Sequence, residues 1–78
     1  MDKLVAQIPK NAREAIRIEL NEYKGKQLAS IRVWADKGDG SPAIATPKGL
    51  TVSIALLPRI NAALTEAELE ARAAGLLE

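Results

Sequence analysis

A chain of 78 residues makes one small domain, which buries only about 60% of the surface its unfolded form exposes and has to find further stability outside its own core. Cysteine and histidine are both absent, so disulfides and thiolate or imidazole metal sites are excluded, and the commonest nucleophile, general base and zinc ligand are missing. The net charge is only +1, but residues 1–60 hold ten Lys/Arg against six Asp/Glu, whereas residues 61–78 hold one against four.

The remaining route to stability is association between copies, and the charge asymmetry predicts a basic working surface followed by an acidic, solvent-facing helix. The acidic residues suggest no active site. Asp36 and Asp39 fall in a glycine-rich turn, and Glu66, Glu68 and Glu70 follow the pattern of a solvated helix face. We expect no enzyme, no cofactor and no bound metal. No apolar run approaches the roughly 18 residues of a membrane span and no secretory pattern opens the chain, so a soluble, intracellular protein is expected.

In chain order, residues 1–12 show little periodicity, contain Ile8-Pro9-Lys10, and read as an N-terminal arm before a single domain over 13–78. A first strand is expected over about 13–21, where Ile16, Ile18 and Leu20 alternate with Ala15, Arg17 and Glu19. Tyr23-Lys24-Gly25-Lys26 supplies a turn, with Gly25 free to take a positive φ. The next run sets Ala29, Ile31 and Val33 on one face and Leu28, Ser30, Arg32 and Trp34 on the other. Arg32 and Trp34 therefore share the face opposite the aliphatic one.

The segment from Asp36 to Pro42 carries every local signal of a loop. A short third strand is expected over 43–46, punctuation at Pro47-Lys48-Gly49, and a fourth strand over 50–56. Pro58 fits the first turn of a helix that runs to about Ala74, with Gly75 as its stop. Thr65 and Glu68 match a capping-box spacing, but the unbroken helix is the preferred reading.

Tyr23 and Trp34 are the only large aromatics, and they lie in a stretch that carries Lys24, Lys26 and Arg32. Flat rings with cations between them on a sheet are a physical solution for gripping single-stranded nucleic acid, the rings stacking on bases and the cations meeting phosphates. Each residue also has a plainer reading. Trp34 suits a half-buried position at a dimer seam, and Lys24, Lys26 and Lys48 suit ordinary solvated surface. Arg13 and Arg17 either extend the basic track or pair with Glu14 and Glu19.

Tyr23-Lys24-Gly25-Lys26, Ile31-Arg32-Val33-Trp34, Pro47-Lys48-Gly49-Leu50 and the Leu57-Pro58 helix start, in that order, resemble the transcriptional coactivator family of positive cofactor four in its compact bacterial or phage form. The resemblance covers about residues 13–65. It implies an α+β fold, a four-stranded curved antiparallel sheet followed by one helix (ββββα), an intertwined homodimer, and single-stranded DNA along the sheet. It also implies nucleic-acid contacts by Tyr23, Lys24, Lys26, Arg32 and Lys48, to which the residue reading adds Trp34. Transcription or replication machinery would be a further partner. Eukaryotic members follow the second-strand arginine with two adjacent aromatics, whereas Val33-Trp34-Ala35 keeps one, and their long Ser-rich arm has no counterpart here. The competing expectations are a protein-interaction module and an RNA-binding protein.

Overall fold

The computed structural model describes residues 2–78. Four strands, β1 (Lys3–Pro9), β2 (Glu14–Tyr23), β3 (Lys26–Ala35) and β4 (Ile44–Ser53), form one open antiparallel sheet in chain order, followed by a 3₁₀ turn (Ile54–Leu56) and helix α1 (Leu57–Ala73). This is the expected ββββα architecture, with strands drawn partly from other residues than the sequence pattern suggested.

Residues 3–9 are a strand and not an arm. Their pairing with β2 slips between Leu4 and Ala6, leaving Val5 as an extra residue that breaks the period of two by which a strand is read. Because β1 lies at the sheet edge, Pro9 also costs no ladder hydrogen bond on its free side. At the opposite edge, the separate runs expected over 43–46 and 50–56 are one strand. β4 passes through Pro47 and Gly49 by a detour: Ala45 pairs with Trp34 and Gly49 with Arg32, so four residues of β4 advance where β3 advances two. The strand then ends at Ser53, whose hydroxyl accepts the Ala55 N–H at 3.3 Å and turns Ile54–Leu56 into 3₁₀ geometry.

Helix α1 is unbroken through Thr65 and Glu68, with Pro58 in its first turn. It closes as the sequence predicts: Leu76 N–H donates to the Ala71 carbonyl at 2.9 Å and Gly75 N–H to the Arg72 carbonyl at 3.1 Å, the paired bonds of a Schellman motif.

The register sorts side chains onto two faces. Ile16, Ile18 and Leu20 lie beside Val33, Ile31 and Ala29, which lie beside Leu50 and Val52, with Ile8 and Ala6 at the near edge. This aliphatic face has no cover of its own. Helix α1 packs against the 3₁₀ turn and barely meets the strands, none of its residues is buried, and Ala29 is the only buried apolar residue among those described. Ile44, Leu50, Leu64 and Leu69 stay 46–62% exposed.

Candidate nucleic-acid interface

The other face of the sheet is polar because alternation places Arg17, Glu19 and Asn21 of β2 beside Arg32, Ser30 and Leu28 of β3. A row of hydrogen bonds organises it. Ser30 Oγ donates to Asn21 Oδ1 at 2.9 Å and lies 3.3 Å from Thr51 Oγ1. Arg32 donates to the Thr46 carbonyl at 3.1 Å and to Thr51 Oγ1 at 3.3 Å, so its half-buried guanidinium bridges the detour of β4. Those bonds leave most of the five guanidinium N–H groups free for an anion.

Arg17 and Arg32 stand directly opposite each other in the β2–β3 register. Like charges in that relation destabilise a sheet, so the pair needs relief. The two groups part. Arg17 turns towards β1, donating from Nε to Gln7 Oε1 at 2.9 Å, and its guanidinium carbon lies 4.2 Å from the centroid of the Trp34 ring. Trp34 is thus on the polar face, as its spacing from Arg32 predicts, but half-buried, with Arg17 over the ring and an indole Nε1 that is buried without a hydrogen-bond partner.

Tyr23, Lys24 and Lys26 form a second group at the β2–β3 hairpin. Lys24 and Gly25 both have positive φ, +50° and +78°, the backbone of a type I′ turn. Tyr23 is 62% exposed, and Lys24 Nζ lies 5.4 Å from the centre of its ring. Eight residues along β3 separate Lys26 from Trp34, about 26 Å of extended chain. The predicted residues therefore occupy two ends of one face, joined by Arg32 and the hydroxyl row. Lys48 lies in the β4 detour, and its charge is felt by Glu14 beside the Trp34 group.

Around Trp34 the structure gathers residues that sequence spacing does not group. Arg13 donates to the Lys37 carbonyl at 3.0 Å, tying the loop after β3 to the start of β2. Asn11 Nδ2 donates to Glu14 Oε1 at 2.8 Å, and this bond, followed by the Lys10 charge, holds the Glu14 carboxyl below its ordinary value. Arg17 and Arg13 thus have partners other than Glu19 and Glu14. Their signal in the sequence was the alternation that puts Arg17 on the face of Arg32 and Trp34.

Among the described residues, no group of three or more Cys, His, Asp or Glu is placed to hold a metal, and no helix is long and apolar enough to cross a membrane. Fold and face together define a ββββα protein with two opposed arginines on the polar face of its sheet.

No family model matches the sequence, and no curated protein matches it at a significant level. Solved structures do. The chain is similar to the crystal structure of a PC4 homolog from Burkholderia pseudomallei in its orthorhombic form, at 27% identity and a TM-score of 0.78 over 86% of this chain and 89% of that one. For the tetragonal form the values are 26% and 0.77, over 87% and 98%. These neighbours come from the family that the sequence motifs resemble, and they support a PC4-like fold for this chain.

Proposed function

We propose that the protein is a sequence-independent single-stranded DNA-binding protein, non-enzymatic, that works as a homodimer in transcription coactivation or in DNA replication, recombination and repair. The observation that carries this reading is the Arg17–Arg32 opposition on the polar face. That repulsion turns Arg17 to Gln7 and Trp34 and leaves Arg32, with free N–H groups, at the centre of a cationic face that attracts a phosphate. Tyr23 with Lys24 and Lys26 at one end, and Trp34 at the other, add stacking surface and charge along the same face. Lys48 is assigned to the edge of this track.

The uncovered aliphatic face supports the homodimer. One chain leaves that face and the leucines of α1 without cover, and a second copy supplies the missing apolar surface. Two polar faces then look outward on one particle. Its place is the cytoplasm or nucleoid, where single strands are exposed.

Fluorescence anisotropy of labelled single-stranded DNA, duplex DNA and RNA, each at two salt concentrations, tests the reading. Tight binding to single-stranded DNA that weakens with salt, and weaker binding to duplex, is the expected result. Preference for RNA would reassign the substrate, and binding to none of the three by the folded protein would overturn the proposal in favour of a protein partner.

A further inference from the structure

A cleft of about 230 Å³ opens where β1, the link to β2 and the far end of β3 meet, with Gln7, Arg13, Glu14, Arg17, Trp34 and Asp36 among its walls. That volume is on the scale of one heterocycle and not of a run of nucleotides.

Its charges argue against a phosphate. Arg13 and Arg17 share its walls with Glu14 and Asp36, and with Lys10 3.8 Å from the Glu14 carboxylate an entering anion would still meet two carboxylates as well as two guanidinium groups. A neutral flat ring with donors and acceptors on its edges suits such a rim. The floor suits it too. Arg17 is fixed from two sides, by Gln7 and by the Trp34 ring beneath it, so a flat cationic plane is held ready for stacking. The indole N–H of Trp34 has no partner, so no hydrogen bond anchors the ring against adjusting to an occupant.

We propose that this cleft receives one nucleobase of the bound strand, swung out of its neighbours' stack and laid on the Arg17 guanidinium with Trp34 beneath. The proposal rests on the single-strand-binding reading and adds Arg17 as the residue that meets the base. Trp34, the sole tryptophan, makes occupancy directly visible.

The test titrates the full chain with a short labelled oligodeoxythymidylate and with an abasic strand of equal length, following strand anisotropy and tryptophan emission together. Both strands should bind, and only the base-bearing one should change Trp34 emission, along the same isotherm as the anisotropy. Arg17→Lys, which keeps the charge and loses the plane, should weaken the base-bearing strand on the order of tenfold and leave the abasic strand unchanged, with circular dichroism confirming an intact fold.

Binding with unaltered Trp34 emission, or an Arg17→Lys variant as tight as the parent, would overturn the cleft assignment and leave the single-strand reading standing. An equal loss on the abasic strand would make Arg17 a phosphate contact and also overturn it. Failure of both strands to bind would overturn both readings.

Discussion

Arg17 and Arg32 face each other across β2 and β3, yet one guanidinium turns to Gln7 and Trp34 while the other reaches the Thr46 carbonyl and Thr51. The divergence relieves repulsion and leaves a cationic gap at the centre of the polar face. Replacing Arg32 removes a repulsive partner and two hydrogen bonds at once, effects of about 0.2–1 kcal/mol and of about 0.5–1.5 kcal/mol per bond that oppose each other. Arg32→Gln should therefore lower urea-unfolding stability by no more than about 2–3 kcal/mol while lowering affinity for single-stranded DNA and flattening its salt dependence by about 0.7 in log–log slope. A large stability loss with an unchanged salt slope would make Arg32 a structural brace.

Gly49 sits opposite Arg32 with φ +145°, and a Cβ there would lie 2.4 Å from the Ile31 carbonyl oxygen and 2.7 Å from Arg32 Cα. Both obstacles are backbone of the central strand and cannot swing aside. Gly49→Ala should cost at least the 1–3 kcal/mol of a strained backbone, a large share of the roughly 5–15 kcal/mol that holds a small domain. A thermal melt would show it, and a midpoint within a degree of the parent would contradict the close approach.

The strand faces were legible where alternation is uninterrupted, as from Ala15 to Leu20 and from Leu28 to Trp34. They were not legible where an extra residue breaks the count. Val5 hides β1, and the detour through Pro47 makes one strand look like two. For the site, the hairpin group could be read because Tyr23, Lys24 and Lys26 are sequence neighbours. The cleft could not, because Gln7, Arg13, Arg17, Trp34 and Asp36 come from separate segments brought together only by the register.

Lys24 holds a positive φ that lysine adopts reluctantly and asparagine readily. Lys24→Asn therefore removes the cation beside Tyr23 while keeping or improving the turn. The variant should melt no lower than the parent and bind single-stranded DNA more weakly, most clearly at low salt. Unchanged affinity would place Lys24 outside the interface.

Three carboxyls are held below their ordinary values: Glu14 by the Asn11 amide and then Lys10, Glu22 first by the Gln27 amide, and Asp39 by the Ser41 side chain and N–H. A carboxyl with a lower pKa in the folded state stabilises it above the unfolded value and loses that contribution as pH falls through the folded one. Stability should thus decline as pH drops below about 4.5, the ordinary value for Glu14 and Glu22, and further below 3.8, that of Asp39. With no histidine, no side chain has an ordinary pKa between about 5 and 8, so the unfolding midpoint should be flat there. Stabilisation on acidification below 4.5 would contradict these hydrogen bonds.

Ile44 and Leu50 lie on the aliphatic face and remain 48% and 46% exposed, while Leu64 and Leu69 on α1 are 59% and 62% exposed. Covering such side chains is worth up to about 1.5–3 kcal/mol each, too much for a 78-residue chain to forgo. If folding is coupled to pairing of two copies, mass action makes the melting temperature rise with protein concentration. We expect that rise over a hundredfold concentration range, together with a sedimentation mass of two chains. Leu50→Asp, which sets a charge on the shared face, should lower the melting temperature and shift the mass towards one chain. A concentration-independent melt of a single-chain species would show that the sheet stands alone and would remove the homodimer from the functional reading.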